Sequence, residues 1–205
     1  MRPVSVRRLV LLITEEHGMS GQKKGIAMML LAGAVSAAGW MAFVPTMRGY
    51  AATRAHSDAN IVFVLDQASA ADSARGALAW TKATSTDVKN FGKLMAGEHH
   101  ALRLAGQQLA HKLGVTPEEP AGFTGTADAM HEMDSLQAMP NGKAWDRAYM
   151  DFEVAYHQAV LTTASKALGD AQNPDLKALI TQAAPVIKHH LAEAERIQKS
   201  MGSGK

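Results

Sequence analysis

The chain has 205 residues, 47% of them hydrophobic and 20% charged, with 21 basic and 19 acidic side chains, the composition of one globular domain plus a segment outside it. It contains no cysteine, so disulfides, thiolate catalysis, zinc–thiolate sites and covalently attached haem are excluded, and any metal chemistry falls to histidine, carboxylates or methionine. Near-balanced charge offers no basic face for nucleic acid. No P-loop, dinucleotide-binding glycine pattern or nucleophile elbow occurs, so neither a nucleotide cofactor nor a catalytic residue is indicated.

Arg2, Arg7 and Arg8 precede a short apolar stretch and then Glu15-Glu16, an awkward prefix that makes Met19 a candidate start. After it come Gln22-Lys-Lys-Gly, an uncharged run from Ile26 to Val44, and small residues around Gly49-Tyr50-Ala51, in the order of a signal peptide. Residues 1–51 are therefore expected to be an export leader cut after Ala51, leaving a periplasmic protein. An apolar run of 19 residues also approaches the length of a membrane span. The alternative is thus attachment to the inner membrane through this segment, facing the periplasm. The leader holds six of the 21 basic residues and two of the 19 acidic ones, so 15 basic face 17 acidic beyond it. Residues 52–60 are small and polar and read as a tether, with a folded domain over 61–200.

The first helix carries Ile61, Leu65, Ala68, Asp72, Gly76, Ala79 and Ala83 at three-and-four spacing, which turns the Asp72 carboxylate inward. A turn at Thr84 to Asp87, with Ser85 as N-cap, starts a second helix. Its stripe is Val88, Phe91, Met95, Glu98, Leu102, Ala105 and Leu109, with His99 on the same broad face, and Gly114 closes it. Thr116 to Gly125 reads as a connector. A short amphipathic piece from Thr126 to Met139 sets Met130, Met133 and Leu136 on one side.

Pro140-Asn141-Gly142 turns the chain into a third long helix with Trp145, Tyr149, Phe152 and Tyr156 along one side and Glu153 and His157 four apart beside them. Asn173-Pro174 opens the fourth long helix as N-cap and first residue. Its apolar row is Leu176, Ile180, Ala183, Ile187, Ala194 and Ile197, with His190 inside it and Pro185 expected to bend it. His100, His111, His131 and His189 read as solvent-facing, and Met95, Met130, Met133 and Met150 as core filling. The pattern predicts an all-α protein: an up-down-up-down four-helix bundle with a short extra helix in the connection between the second and third long helices.

At about 1.5 Å per residue, Asp72 and His99 fall roughly 16 and 21 Å from the first turn, and His157 and His190 roughly 16 and 24 Å from the last. Every long helix thus sends a polar group to one layer. Asp72, Glu98, His99, Glu153, His157 and His190 form a candidate site for a divalent metal, since mixed imidazole and carboxylate donors suit zinc, iron, copper, nickel or manganese. The competing reading is a hydrogen-bonded polar layer that orders the core of a structural or stress-related envelope protein with a protein partner.

The order Phe63-Val64, Lys82-Ala-Thr-Ser85, Val88-Lys89-Asn-Phe91, Glu98-His99, Trp145-Asp146-Arg147-Ala-Tyr149, His157 and Pro185 to His190-Leu191 resembles the exported bacterial domain-of-unknown-function 4142 family over about residues 60 to 197. The resemblance implies a ferritin-like helical bundle in the envelope, without a defined activity. It also implies that Asp72, Glu98-His99, His157 and His190 fall on the family's recurrent acid and histidines. The ferritin di-iron set needs a Glu from each of two helices and Glu-x-x-His on the other two. Here Glu153 and His157 are four apart, so an iron or manganese oxidoreductase is the third reading, behind a non-catalytic metal-binding module and a metal-free structural one.

Overall fold

The computed structural model describes residues 56–202, which are all-α: α1 (Asp58–Lys82), α2 (Thr86–Leu113), α3 (Gly125–Ala138), α4 (Lys143–Asp170) and α5 (Pro174–Gly202). The expected leader over 1–51, with its cleavage and membrane attachment, lies outside the described residues, as does the first part of the tether. No helix among the described residues is long and apolar enough to cross a membrane.

The end of the expected tether is helix. Asn60 N–H donates to Ser57 Oγ at 3.1 Å and Ser57 N–H to Asn60 Oδ1 at 3.3 Å, a capping box that starts α1 at Asp58. Asparagine replaces the usual Glu or Gln of that signature, which is why the sequence reads as linker there. Asp58 then accepts from the N–H groups of Gln172 and Asn173 at 2.8 and 3.0 Å, and His56 N–H donates to Asp170. The segment is pinned to the turn between α4 and α5.

Helices α1 and α2 form one antiparallel hairpin, brought together at two glycines. A Cβ on Gly76 would lie 2.6 Å from both Gly92 O and Ala96 N, and one on Gly92 would lie 2.7 Å from Gly76 O. Only glycine permits this approach, and Ser73 Oγ donates across it to Ala96 O at 2.9 Å. The expected Ser85 side-chain cap does not form. Asp146 of α4 supplies the acceptor instead, taking the Thr84 and Ser85 N–H groups at 2.9 and 2.7 Å and the Thr84 hydroxyl at 2.6 Å.

Helices α4 and α5 make the second hairpin, with Asn173 Oδ1 capping α5 through Asp175 N–H at 2.8 Å. The hairpins meet where α5 lies on α2 and α4 on α1, and α3 rests on α1. Trp145 donates its indole N–H to Leu136 O at 2.8 Å and stacks on Tyr149, tying α3 to the core. Met95 and Met150 are fully buried as core filling. Met130 is not: at 66% exposed it lies on the outer face of α3, because the short helix buries only Glu132 and Leu136.

Buried apolar side chains form two clusters. One gathers Val88, Phe91, Met95, Trp145, Tyr149, Met150 and Ile197, and the other Ile61, Val64, Ala167, Leu176 and Ile180. The histidines and carboxylates lie between them. Polar groups at that depth are out of reach of bulk solvent and must be satisfied by one another, by internal water or by a ligand.

Candidate metal centre

All six sequence-predicted residues meet. Asp72, His99, Glu153, His157 and His190 are at most 2% exposed, and Glu98 is half-buried at their edge. The rings of His99, His157 and His190 form a near-equilateral triangle with centroids 5.7, 5.1 and 5.4 Å apart. One ligand atom from each of these three lies within 4.8 Å of those of the other two, and the same spacing holds for Asp72, Glu153 and His157.

Hydrogen bonds assign the ring protons. His157 Nδ1 lies 2.9 Å from the Glu153 backbone carbonyl, one turn back on its own helix, so this nitrogen carries the proton and Nε2 keeps its lone pair. His190 Nε2 lies 2.7 Å from Glu98 Oε2 and donates to it, which leaves the Nδ1 lone pair free. Neither His157 Nε2 nor His190 Nδ1 has a hydrogen-bond partner among the described residues. Each imidazole thus commits one nitrogen to an outer acceptor, the arrangement that orients histidine for a metal.

Asp72 completes the pattern. Its Oδ2 lies 2.9 Å from His99 Nε2 and 3.5 Å from His157 Nε2. The short approach to His99 is nevertheless not aligned as a hydrogen bond, and both Asp72 oxygens and both His99 nitrogens are left without a hydrogen-bond partner. His157 belongs to both compact donor groups, one with His99 and His190 and one with Asp72 and Glu153.

Burial would raise the Asp72 carboxyl, but His99, His157 and Arg75 outweigh it and hold the group well below the usual carboxylate range, so it is an anion. Burial pushes the His157 imidazole down to about 4 against the pull of Asp72, and lowers His190 against Glu98. Both rings are neutral at pH 7, the form that ligates metal. Glu98 stays ionised because its hydrogen bond to His190 overcomes its partial burial. Glu153 goes the other way: burial and the neighbouring Asp72 charge lift its carboxyl well above the usual range.

The residue missed by the sequence reading is Arg75, only 1% exposed. Its guanidinium reaches Glu132 at 3.4 Å, Asp72 at 3.6 Å and Glu153 at 3.7 Å, and lies over the rings of Tyr156 and Phe152 at 4.1 and 4.6 Å. It sits three residues after Asp72, which places it on the same helical face, and the Phe152/Tyr156 pair one turn apart supplies its aromatic wall. A cation three residues from an inward acid was the available signal. The guanidinium occupies the side of Asp72 and Glu153 away from the histidines, and thereby confines the open donor atoms to the imidazole side.

His100, His111, His131 and His189 are solvent-exposed. The donor set that remains is three imidazoles and one carboxylate, the borderline nitrogen and oxygen donors that divalent first-row metals take. The residues present therefore fit such an ion.

A family model described as "Domain of unknown function (DUF4142)" matches residues 45–197, most of the chain. Comparison with curated proteins and with solved structures gives no match.

Proposed function

The chain belongs to the DUF4142 family, and we propose that it is an exported, ferritin-like four-helix bundle of the cell envelope whose function is to hold one divalent transition metal. His99, His157, His190 and Asp72 are the ligands. Glu98 fixes the His190 ring, and the Glu153 backbone carbonyl fixes His157. The observation that carries this reading is a neutral imidazole lone pair 3.5 Å from a carboxylate anion in a fully buried layer. Two electron-rich atoms face each other there without a proton between them, and a bound cation turns that repulsion into coordination. The metal would supply a Lewis-acidic positive charge where the protein places its lone pairs.

The ligands come from all four long helices, so binding would also fasten the two hairpins together. Export is favoured by the leader-like order of residues 22–51 and by the absence of cysteine.

The test is retention of zinc, iron, copper, nickel or manganese by the full-length chain after equilibrium dialysis, read by elemental analysis. One equivalent of metal per chain is expected, falling to background in His99→Ala and His190→Ala. Absence of retention, or retention unchanged in both variants, overturns the proposal in favour of a polar layer that only orders the core. That outcome would also show as altered thermal stability without any change in ligand binding.

A further inference from the structure

Asp72 and Glu153 each divide their two oxygens between two sets of neighbours. Asp72 Oδ2 lies 2.9 Å from His99 Nε2 and 3.5 Å from His157 Nε2, while Oδ1 lies 3.6 Å from Arg75 Nη2. Glu153 repeats the division, with Oε2 3.4 Å from His157 Nδ1 and Oε1 3.7 Å from Arg75 Nε. Glu132 Oε2, 3.4 Å from Arg75 Nη1, adds a third carboxyl group that meets the guanidinium alone. Two carboxyl groups thus stand between two positions, one faced by imidazoles and the other filled by Arg75.

A carboxylate can serve two neighbouring cations because it has an oxygen for each. Arg75 already is one such cation, and it is not seated as a precise fork. Its Nη1 makes the one hydrogen bond to this group, with Glu132, while Nε and Nη2 make none. A bidentate pair would have set two N–H groups in line with one carboxylate. The guanidinium is held instead over the rings of Tyr156 and Phe152, at 4.1 and 4.6 Å. Toward Asp72 and Glu153 it therefore acts as a positive charge, which is what a divalent ion in the same place would also supply.

The surroundings suit an ion there. Asp72 and Glu153 already belong to one compact group of potential donors, and Glu132 offers a further oxygen. A cavity of about 30 Å³ between α1 and α3 is bordered by Arg75, Glu132, Asp128 and Gln67. At about 10–15 Å³ for each water, it has room for two that could complete a coordination shell.

We propose that Arg75 fixes the metal count of the centre: its guanidinium holds the position of a second cation and limits the protein to one metal ion. The inference rests on the metal reading for the first ion, and on the divided oxygens of Asp72 and Glu153 for the second position.

The test dialyses the full-length chain against zinc, iron, copper, nickel and manganese in turn, with elemental analysis. Wild type is expected to retain one equivalent. Arg75→Ala and Arg75→Gln are expected to retain two, because each removes the charge and leaves Asp72, Glu153 and Glu132 in place. Arg75→Lys keeps a cation and should stay at one. Adding Glu132→Gln to Arg75→Gln should return the count to one, which locates the second ion.

One equivalent in whichever of Arg75→Ala and Arg75→Gln folds overturns the inference and spares the metal reading. So does a second equivalent that survives Glu132→Gln, a count of two in Arg75→Lys, or a wild type that already retains two. An added ion should replace the missing charge, so failure of both charge-removing variants to fold in excess metal overturns it as well. A wild type that retains none of the five metals overturns the metal reading, and the inference falls with it.

Discussion

His157 donates its Nδ1 proton to the Glu153 carbonyl at 2.9 Å and turns an unprotonated Nε2 toward Asp72 Oδ2 at 3.5 Å. The helix itself sets this tautomer, since the acceptor is the backbone one turn earlier. Burial keeps the ring neutral down to about pH 4, while Asp72 stays ionised well below the usual carboxylate range. At these two groups protons therefore compete with a metal only at low pH. Metal retention by the full-length chain is expected to be flat from pH 7 to about 5 and to fall through about 4, where His157 takes up a proton. A half-point near 6.5, the ordinary histidine value, would show that the rings are solvated and the layer is not the site. Dialysis at stepped pH with elemental analysis distinguishes the two.

Arg75 compensates charge on the opposite side of Asp72. Replacing it with methionine keeps the bulk against Phe152 and Tyr156 but strips Asp72 of its nearest fixed cation. Breaking a buried pair this way costs about 3–5 kcal/mol. Arg75→Met is therefore expected to unfold at markedly lower denaturant concentration when metal-free. The stabilisation on adding zinc should be larger than in the wild type, because the metal then faces a less compensated carboxylate. Equal stabilisation in both proteins would mean that Arg75 and the metal do not share Asp72. Chemical denaturation with and without zinc measures this.

The all-α class and its long helices were legible because apolar residues recur every three or four positions over long stretches, and because Gly114 and Asn173-Pro174 punctuate them chemically. The layer was legible for a simple reason: each long helix places a polar group in or beside its apolar row, and the rise per residue fixes its depth. Three things were not. The start of α1 was hidden because its capping box uses asparagine. Asp146 was hidden because its partners are backbone groups 61 and 62 residues away, a contact that only tertiary structure creates. Arg75 was hidden because arginine lies off the apolar stripe by default, and its burial depends on aromatics from another helix.

Glu132 is the one buried acid on α3, and burial raises its carboxyl to about 7 even though Arg75 pulls it down. The folded state thus holds a proton there that the unfolded chain releases near 4.5. The sign follows: this stabilisation is full below about pH 4.5 and is lost as pH rises through about 7. The depressed histidines act in the opposite sense over an overlapping range, so the wild-type curve alone is ambiguous. The difference between wild type and Glu132→Gln isolates the α3 contribution. Wild type minus variant stability is expected to decline from pH 5 to 8 by about 1–3 kcal/mol, with amide exchange of α3 quickening in parallel. A pH-independent difference would place Glu132 in solvent-like surroundings.

The two-glycine contact makes a sharper claim about packing. A methyl group on Gly76 would meet backbone atoms of α2 at 2.6 Å, and backbone cannot swing aside. Gly76→Ala is expected to cost about 3 kcal/mol, the upper part of the range for overpacking. It should also reduce metal retention, since Asp72 is one turn from the contact and His99 lies on the helix pushed away. Gly97→Ala, where an added Cβ meets nothing within 4 Å, is the control, and there the better helix former should leave stability level or raise it. Thermal unfolding of both variants decides the point.

Glu98 tests whether the layer is a metal centre or a structural contact, because the two readings assign its bond to His190 different consequences. As an outer acceptor, the carboxylate fixes which His190 nitrogen carries the proton and makes the ring a better donor. Glu98→Gln retains an oxygen that can still accept from Nε2, but without the charge. Glu98→Ala leaves Nε2 unpaired beside a partly open edge that water can reach. A metal centre therefore predicts a graded series in metal affinity: wild type highest, glutamine lower, alanine lower still by about 10–100-fold overall. Thermal stability of the metal-free protein should change little, since half-buried Glu98 can exchange its bond for water. A structural layer predicts the reverse: stability falls with each step while metal uptake is uniformly weak. Isothermal titration with zinc and thermal unfolding of the same three proteins measure both quantities, and a series ordered in stability alone would remove Glu98 and His190 from the ligand scheme.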